Sequence, residues 1–191
     1  MLGSTPDTAK CESKFSTAIL IADAVAASKG TSCRWLDGGD GTATDLNSGL
    51  QWALKTDDGS VHDKDNSYTW NTTAGGTTPN GTVFTGYLGT LNGGVSADGV
   101  TTTGCFAGHC DWRLPTVEEL RGILDAQYPD CTTIPCTTIP GFIRPGFTDF
   151  YWSSSTYVAT DNAWSVSFYD GYPEIHGKTT ADFVRGVRTD S

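Results

Sequence analysis

The spacing of apolar positions changes along the chain, and the changes mark its elements. Over residues 12–28, Phe15, Ile19, Ala22 and Ala26 recur at helical spacing, with Lys14 and Asp23 off that stripe. Lys29-Gly30 then supplies a stop, because glycine accepts the left-handed conformation that ends helices. From Arg34 the period shortens. Arg34-Trp35-Leu36 and Thr42-Ala43-Thr44 flank Asp37-Gly38-Gly39-Asp40-Gly41, a pattern that predicts a β-hairpin, and Gly49 to Leu54 reads as the next strand. A long stretch, 55–104, is rich in Gly, Thr, Asn and Asp and reads as irregular. Its isolated aromatics, Tyr68, Trp70, Phe84 and Tyr87, each give a loop somewhere to pack.

Thr116-Val117-Glu118-Glu119 is a capping box, and Val117, Leu120, Ile123 and Leu124 extend it into a helix with one apolar face as far as Tyr128. The last third returns to strands. Tyr151 to Ser155 opens it. Over 163–169, Trp164, Val166 and Phe168 fall on one face and Ser165 and Ser167 on the other. Asp170-Gly171 makes a turn, Pro173 confines the following residues to an edge or a loop, and 183–188 reads as a closing strand. The pattern predicts an α+β chain, loop-rich, with few short strands and one or two helices. It divides into an N-terminal helical segment, 1–33, bracketed by Cys11 and Cys33, and a main domain over 34–191.

Composition narrows the function. The chain has six Trp and aromatics at 11%, so its core should rest on large aromatic anchors. Its net charge of −10, with only 12 scattered Lys and Arg, excludes nucleic acid, which is held by clustered cations. No run reaches the roughly 20 apolar residues that span a bilayer, so membrane insertion is not expected. Residues 1–5 read as a remnant without a signal peptide, and a native leader is expected to have been removed. The six cysteines fall in local pairs, read as Cys11–Cys33, Cys105–Cys110 and Cys131–Cys136. Disulfides imply an oxidising, secreted or cell-surface location. A zinc site built on Cys105, His109 and Cys110 is the rival reading, disfavoured because structural zinc sites prefer closer cysteine spacing.

Three groups of residues are candidates for chemistry. Asp111-Trp112-Arg113-Leu114-Pro115 reads as structural, with Trp112 and Leu114 in the core and Arg113 paired to a carboxylate. Asp37, Asp40 and Asp45 are candidate calcium ligands, since calcium takes several hard oxygens, and Asp57, Asp58, Asp63 and Asp65 form a second acidic loop. Turn chemistry explains the same aspartates. Asp161, Asn162, Tyr169, Asp170, Tyr172, Glu174 and His176 form the best ligand-binding candidate, because tyrosines beside carboxylates and amides combine contact area with adaptable hydrogen bonds. No nucleophile stands at a fixed offset from His62, His109 or His176, and the chain is not expected to be an enzyme.

Six runs, in order, carry a resemblance: Asp37 to Asp45, Ser48-Gly-Leu-Gln-Trp52, Asp111-Trp-Arg-Leu-Pro-Thr116 with Glu119-Leu120, Tyr151-Trp-Ser-Ser-Ser155, Ala163-Trp164 with Phe168 and Asp170-Gly171, and Val184-Arg-Gly-Val-Arg188. Together they resemble the C-terminal domain family of the Legionella collagen-like adhesin. The resemblance implies a C-type-lectin-like fold, akin to formylglycine-generating enzymes and retroelement-diversified variable proteins. It further implies surface display, a homotrimer, and an extracellular glycan or protein ligand. The cysteine pair that formylglycine-generating enzymes use late in the domain is missing, since no cysteine follows Cys136. The family's sulfated glycosaminoglycan ligands fit poorly on so acidic a chain. A hypervariable binder and a structural subunit of an extracellular assembly are the alternative readings.

Overall fold

The computed structural model describes residues 35–76, 78–94, 104–124, 150–157 and 161–189. The expected helix over 12–28 and the Cys11–Cys33 and Cys131–Cys136 pairs lie outside these residues.

β1 (Trp35–Asp37) and β2 (Thr42–Asp45) form the expected hairpin, paired Asp37 to Ala43 at its inner end. Its turn requires glycine: Gly39 and Gly41 sit at φ +72° and +89°, where a Cβ is strained. β3 (Leu50–Ala53) pairs with β2, and β9 (Val187–Thr189) adds to β3. The resulting antiparallel sheet runs β1-β2-β3-β9, so residues 187–189 complete a sheet that residues 35–53 begin. All four residues of β2 are buried. Successive side chains on a strand face opposite ways, so both sides of this sheet are covered.

The described residues of the 55–104 stretch are more ordered than its composition suggests. β4 (Tyr68–Thr69) pairs with β8 (Ala181–Asp182), and a π-helical segment, Val83–Leu88, runs into the single turn α1 (Gly89–Leu91). Val83, Tyr87 and Leu91, spaced by four, are each fully buried on one face. The Asn92 side chain then clamps the next segment: its Nδ2 donates to the Trp112 carbonyl and its Oδ1 accepts from the Trp112 amide, both at 2.8 Å.

The Asp111–Pro115 segment is structural, as expected. Trp112 and Leu114 are buried, and the Trp112 indole donates to the Phe106 carbonyl at 3.0 Å. Arg113 makes a two-rung bridge to Val187 through its backbone and a forked pair to Glu119 at 2.8 and 2.7 Å through its side chain. The capping box forms: Thr116 Oγ1 accepts from the Glu119 amide, and a Glu119 oxygen accepts from the Thr116 amide. α2 spans Val117–Gly122, and Val117, Leu120, Ile123 and Leu124 are buried along its apolar face.

β5 (Phe150–Thr156), β6 (Asn162–Ser167) and β7 (Pro173–Gly177) form a second antiparallel sheet in that order, with Pro173 opening the edge strand. Both faces of β6 are covered. Val166 is fully buried on the apolar side, where Trp164 is only partly covered, and Ser165 and Ser167 are buried on the other, where Ser165 Oγ donates to Asp182 of β8. The closing segment is interrupted: after Phe183, which bridges Tyr151 of β5, residues 184–186 lie outside the strands and place Val184 and Arg185 inside before β9 begins. The core has two neighbouring parts. One gathers Trp35, Trp52, Leu120, Ile123, Tyr151, Val166, Phe168 and Val187, and the other Trp70, Val83, Tyr87, Leu91, Trp112, Leu114, Trp152 and Val184. Five of the chain's six tryptophans thus stand at the centre, and Trp164 lies at the margin.

Candidate functional site

The β6–β7 hairpin carries the residues picked out in the sequence, and its register decides how they are shared. Asn162 pairs with Gly177 at one end of the hairpin and Val166 with Pro173 at the other. Four residues of strand separate the ends by about 13 Å. Asp161 and Asn162 therefore lie at the far end from Tyr169, Asp170 and Tyr172, which form the turn. Glu174 and His176 share a face with Ser165 and Ala163, their register partners. The seven candidates are spread over both ends of the hairpin.

His176 points inward. Its Nδ1 lies 2.8 Å from Asp182 Oδ2, which also accepts from Ser165 Oγ at 2.6 Å, and its ring packs on Phe150 at 4.3 Å between centroids. Burial raises the Asp182 carboxyl above the usual carboxylate range, against the opposing pull of Ser165 and His176. The aspartate stands between serine and histidine. In a serine-activating relay the imidazole takes that middle place, so this trio is a stabilising node joining β6, β7 and β8.

The opposite face of the hairpin is only partly covered. Trp164 pairs with Ile175, and Val166 with Pro173, so these four side chains share it. α2 packs on this side, but at six residues it is only about 9 Å long. Its cover reaches Val166 and stops. Ile175 stays 42% exposed, and Tyr169 and Tyr172 in the adjoining turn are 44% and 53% exposed. Between helix and strands lies a shallow cleft of about 260 Å³ lined by Val117, Glu118, Arg121, Ser155, Trp164 and Pro173. A second cleft of about 220 Å³ lies across Glu118, beside Asp45, Leu50 and Trp52.

The turn itself is held firmly. Ser167 donates its amide to the Tyr172 carbonyl at 2.9 Å, Gly171 donates to the Ser167 carbonyl at 2.8 Å, and Asp170 Oδ1 accepts from the Tyr172 amide at 3.2 Å. Gly171 has φ +80°, which explains the glycine.

The first acidic group does not converge. Asp37 Oδ1 accepts from the Gly39 amide, Asp40 Oδ1 from the Thr42 amide and hydroxyl, and Asp45 takes the Asn47 amide and the Ser48 hydroxyl at the opposite end of the hairpin. Turn chemistry accounts for all three. Among the described residues the carboxylates that converge are Asp57, Asp63 and Asp65, with oxygens within 4.8 Å of one another. Lys64 bridges Asp57 and Asp65 at 3.1 and 2.6 Å, and Asp63 accepts the amides of Asp58, Gly59 and Asp65. Those amide bonds, led by that of Asp65, hold the Asp63 carboxyl below its ordinary range.

Under this loop lies a cation that no pattern in the sequence marks out. Lys55 is 3% exposed, its Nζ donating to the Asp63 carbonyl at 3.4 Å and standing 5.5 Å from the centre of the Tyr87 ring. Burial, reinforced by nearby Arg185, lowers its pKa to about 7. His62, stacked on Phe106 at 4.1 Å, is likewise lowered to about 4 by burial. Cys105 and Cys110 are joined as a disulfide, which consumes both thiols the zinc reading needed.

The described residues define an α+β domain of small antiparallel sheets, pinned by a local disulfide and carrying an exposed aromatic hairpin. The chain belongs to the Lcl C-terminal domain family, whose model matches residues 41–188. Among curated proteins and among solved structures, nothing matches it. No helix of the described residues is long and apolar enough to cross a membrane.

Proposed function

We propose that this domain is an extracellular ligand-binding module of the adhesin type, secreted or displayed on a cell surface, and that it acts by recognition rather than catalysis. The β6–β7 hairpin is its ligand-bearing face. One observation carries this reading: of five large hydrophobic side chains left exposed among the described residues, three (Tyr169, Tyr172 and Ile175) lie within seven residues on one braced hairpin. Scattered exposed apolar residues need no explanation, but a cluster on a rigid support is what recognition surfaces use. The hydrogen-bonded turn keeps the tyrosines in place before any ligand arrives, which lowers the entropic cost of binding. Membership of the family supports the adhesin context, and a C-type-lectin-like arrangement belongs to the same proposal.

The test is a glycan and protein array probed with the whole chain, with and without a calcium chelator. Replacing Tyr169, Tyr172 and Ile175 with Ser should reduce the signal at least about tenfold, the effect of losing one or two interface anchors. The variant should keep its thermal transition, since these side chains are outside the core. Undiminished binding by the folded triple variant removes the hairpin from the ligand site.

A further inference from the structure

The cleft beside the hairpin combines chemistries that none of its neighbours combine. Trp164 is partly exposed and flat, and Pro173 adds a second ring-shaped apolar surface. Around them stand an acceptor, the Glu118 carboxylate; a donor, the Arg121 guanidinium; and Ser155, whose hydroxyl does both. A hexopyranose is amphipathic in the matching sense. One side of its ring is a patch of C–H groups suited to an aromatic face, and its rim alternates hydroxyl donors and acceptors.

Size and charge point the same way. At about 260 Å³ the cleft falls below the roughly 300–1,000 Å³ of pockets that enclose drug-sized molecules, and it is open, so it fits one ring of a longer chain. Its single carboxylate and single guanidinium balance locally. The molecule around it carries a net charge of −10, which repels polyanions. An extended peptide would find a better partner in the outer edge of β7, which among the described residues pairs only with β6.

We propose that the cleft between α2 and the β6–β7 hairpin is a subsite for one uncharged hexopyranose unit of a glycan, stacked on Trp164 and Pro173 and hydrogen-bonded by Glu118, Arg121 and Ser155. The assignment rests on the hairpin being the ligand-bearing face and names the chemistry of what binds beside it. Tyr169 and Tyr172 then contact neighbouring units of the same glycan.

Two-dimensional amide NMR of the whole chain, titrated with a panel of methyl glycopyranosides of differing hydroxyl configuration, tests it. At least one glycoside should move the Trp164 indole N–H saturably, with a Kd on the order of 1 mM. Glu118→Ala, at an exposed position, and Arg121→Ala, at a half-buried one, should each weaken that binding about tenfold, as expected for one hydrogen bond to a charged group. A Tyr169 and Tyr172 double variant, with Ile175 kept, should leave it unchanged, because a single ring does not reach the turn. If no glycoside moves the indole, or if shifts survive both charge substitutions, the subsite is refuted. Shifts confined to the backbone amides of 174–177 refute it in favour of strand pairing at the β7 edge. An array signal that the hairpin substitutions abolish, alongside a negative titration, overturns the sugar subsite alone. A positive titration with an array signal indifferent to the hairpin overturns the hairpin alone.

Discussion

Lys55 shows how much a single side chain can hold in reserve. An ammonium whose pKa falls from 10.5 to about 7 on folding binds fewer protons in the folded chain than in the unfolded one across that window. Its contribution to stability therefore rises with pH between about 7 and 10.5 and is least favourable below 7. Lys55→Met removes the titration while keeping the volume. Urea unfolding of both proteins over a series of pH values should show the stability of the wild type gaining on that of Lys55→Met as pH climbs from 7 towards 10. A difference that stays flat would show that the amine is not desolvated as its burial indicates. Arg185 carries its charge inside by another route, spreading it over the Tyr151 ring at 5.2 Å and the Phe168 ring at 6.0 Å.

At the scale of elements, the features legible in the sequence are those whose cause is local. Asp37-Gly38-Gly39-Asp40-Gly41 made its hairpin because glycine conformations and aspartate side chains within five residues satisfy the turn. The capping box made its helix for the same reason. Thr116→Ala should cost about 1 kcal/mol and lower the melting temperature by about 2–4 °C. A melting curve superimposable on the wild type would mean that the Arg113–Glu119 pair holds the helix start without the threonine. The segment over 83–91 escaped notice because Gly86 and Gly89 interrupt it and no side chain caps it. Its helical form comes from Tyr87 and Leu91 fitting the core, and from Gly186, whose amide donates to the Tyr87 hydroxyl at 2.9 Å. The candidate site divides in the same way. The exposed tyrosines of the turn were visible beside Asp170-Gly171. The inward turn of His176 was not, because it depends on Asp182 arriving from β8. Nor was the cleft, which exists only where Glu118 and Arg121 of α2 meet Trp164.

For the whole molecule, the disulfide between Cys105 and Cys110 secures less than its chemistry suggests, since it closes a loop of sequence separation 5. The chain-entropy relation gives about 2 kcal/mol for so short a loop. Replacing both cysteines with Ser should lower the melting temperature by about 4–8 °C and leave a single cooperative transition. Loss of cooperative melting would show that this loop organises the entire fold. Longer ties do that work instead: the bridge from Arg113 to Val187, and Arg188, whose Nε reaches Asp111 at 2.8 Å while a second nitrogen reaches Gln51 at 3.0 Å. Acid should loosen part of this set, because the Arg188 guanidinium holds the Asp111 carboxyl below its ordinary range and that advantage fades as the carboxyl protonates.

The placement of β9 against β3 has a consequence for biosynthesis. A ribosome delivers residues 50–53 long before residues 187–189, so the first sheet waits, one strand short, until β9 has been made. Up to that point this domain stays threadable. Any export route that passes unfolded chains through a narrow channel would find it compliant until β9 emerged on the far side.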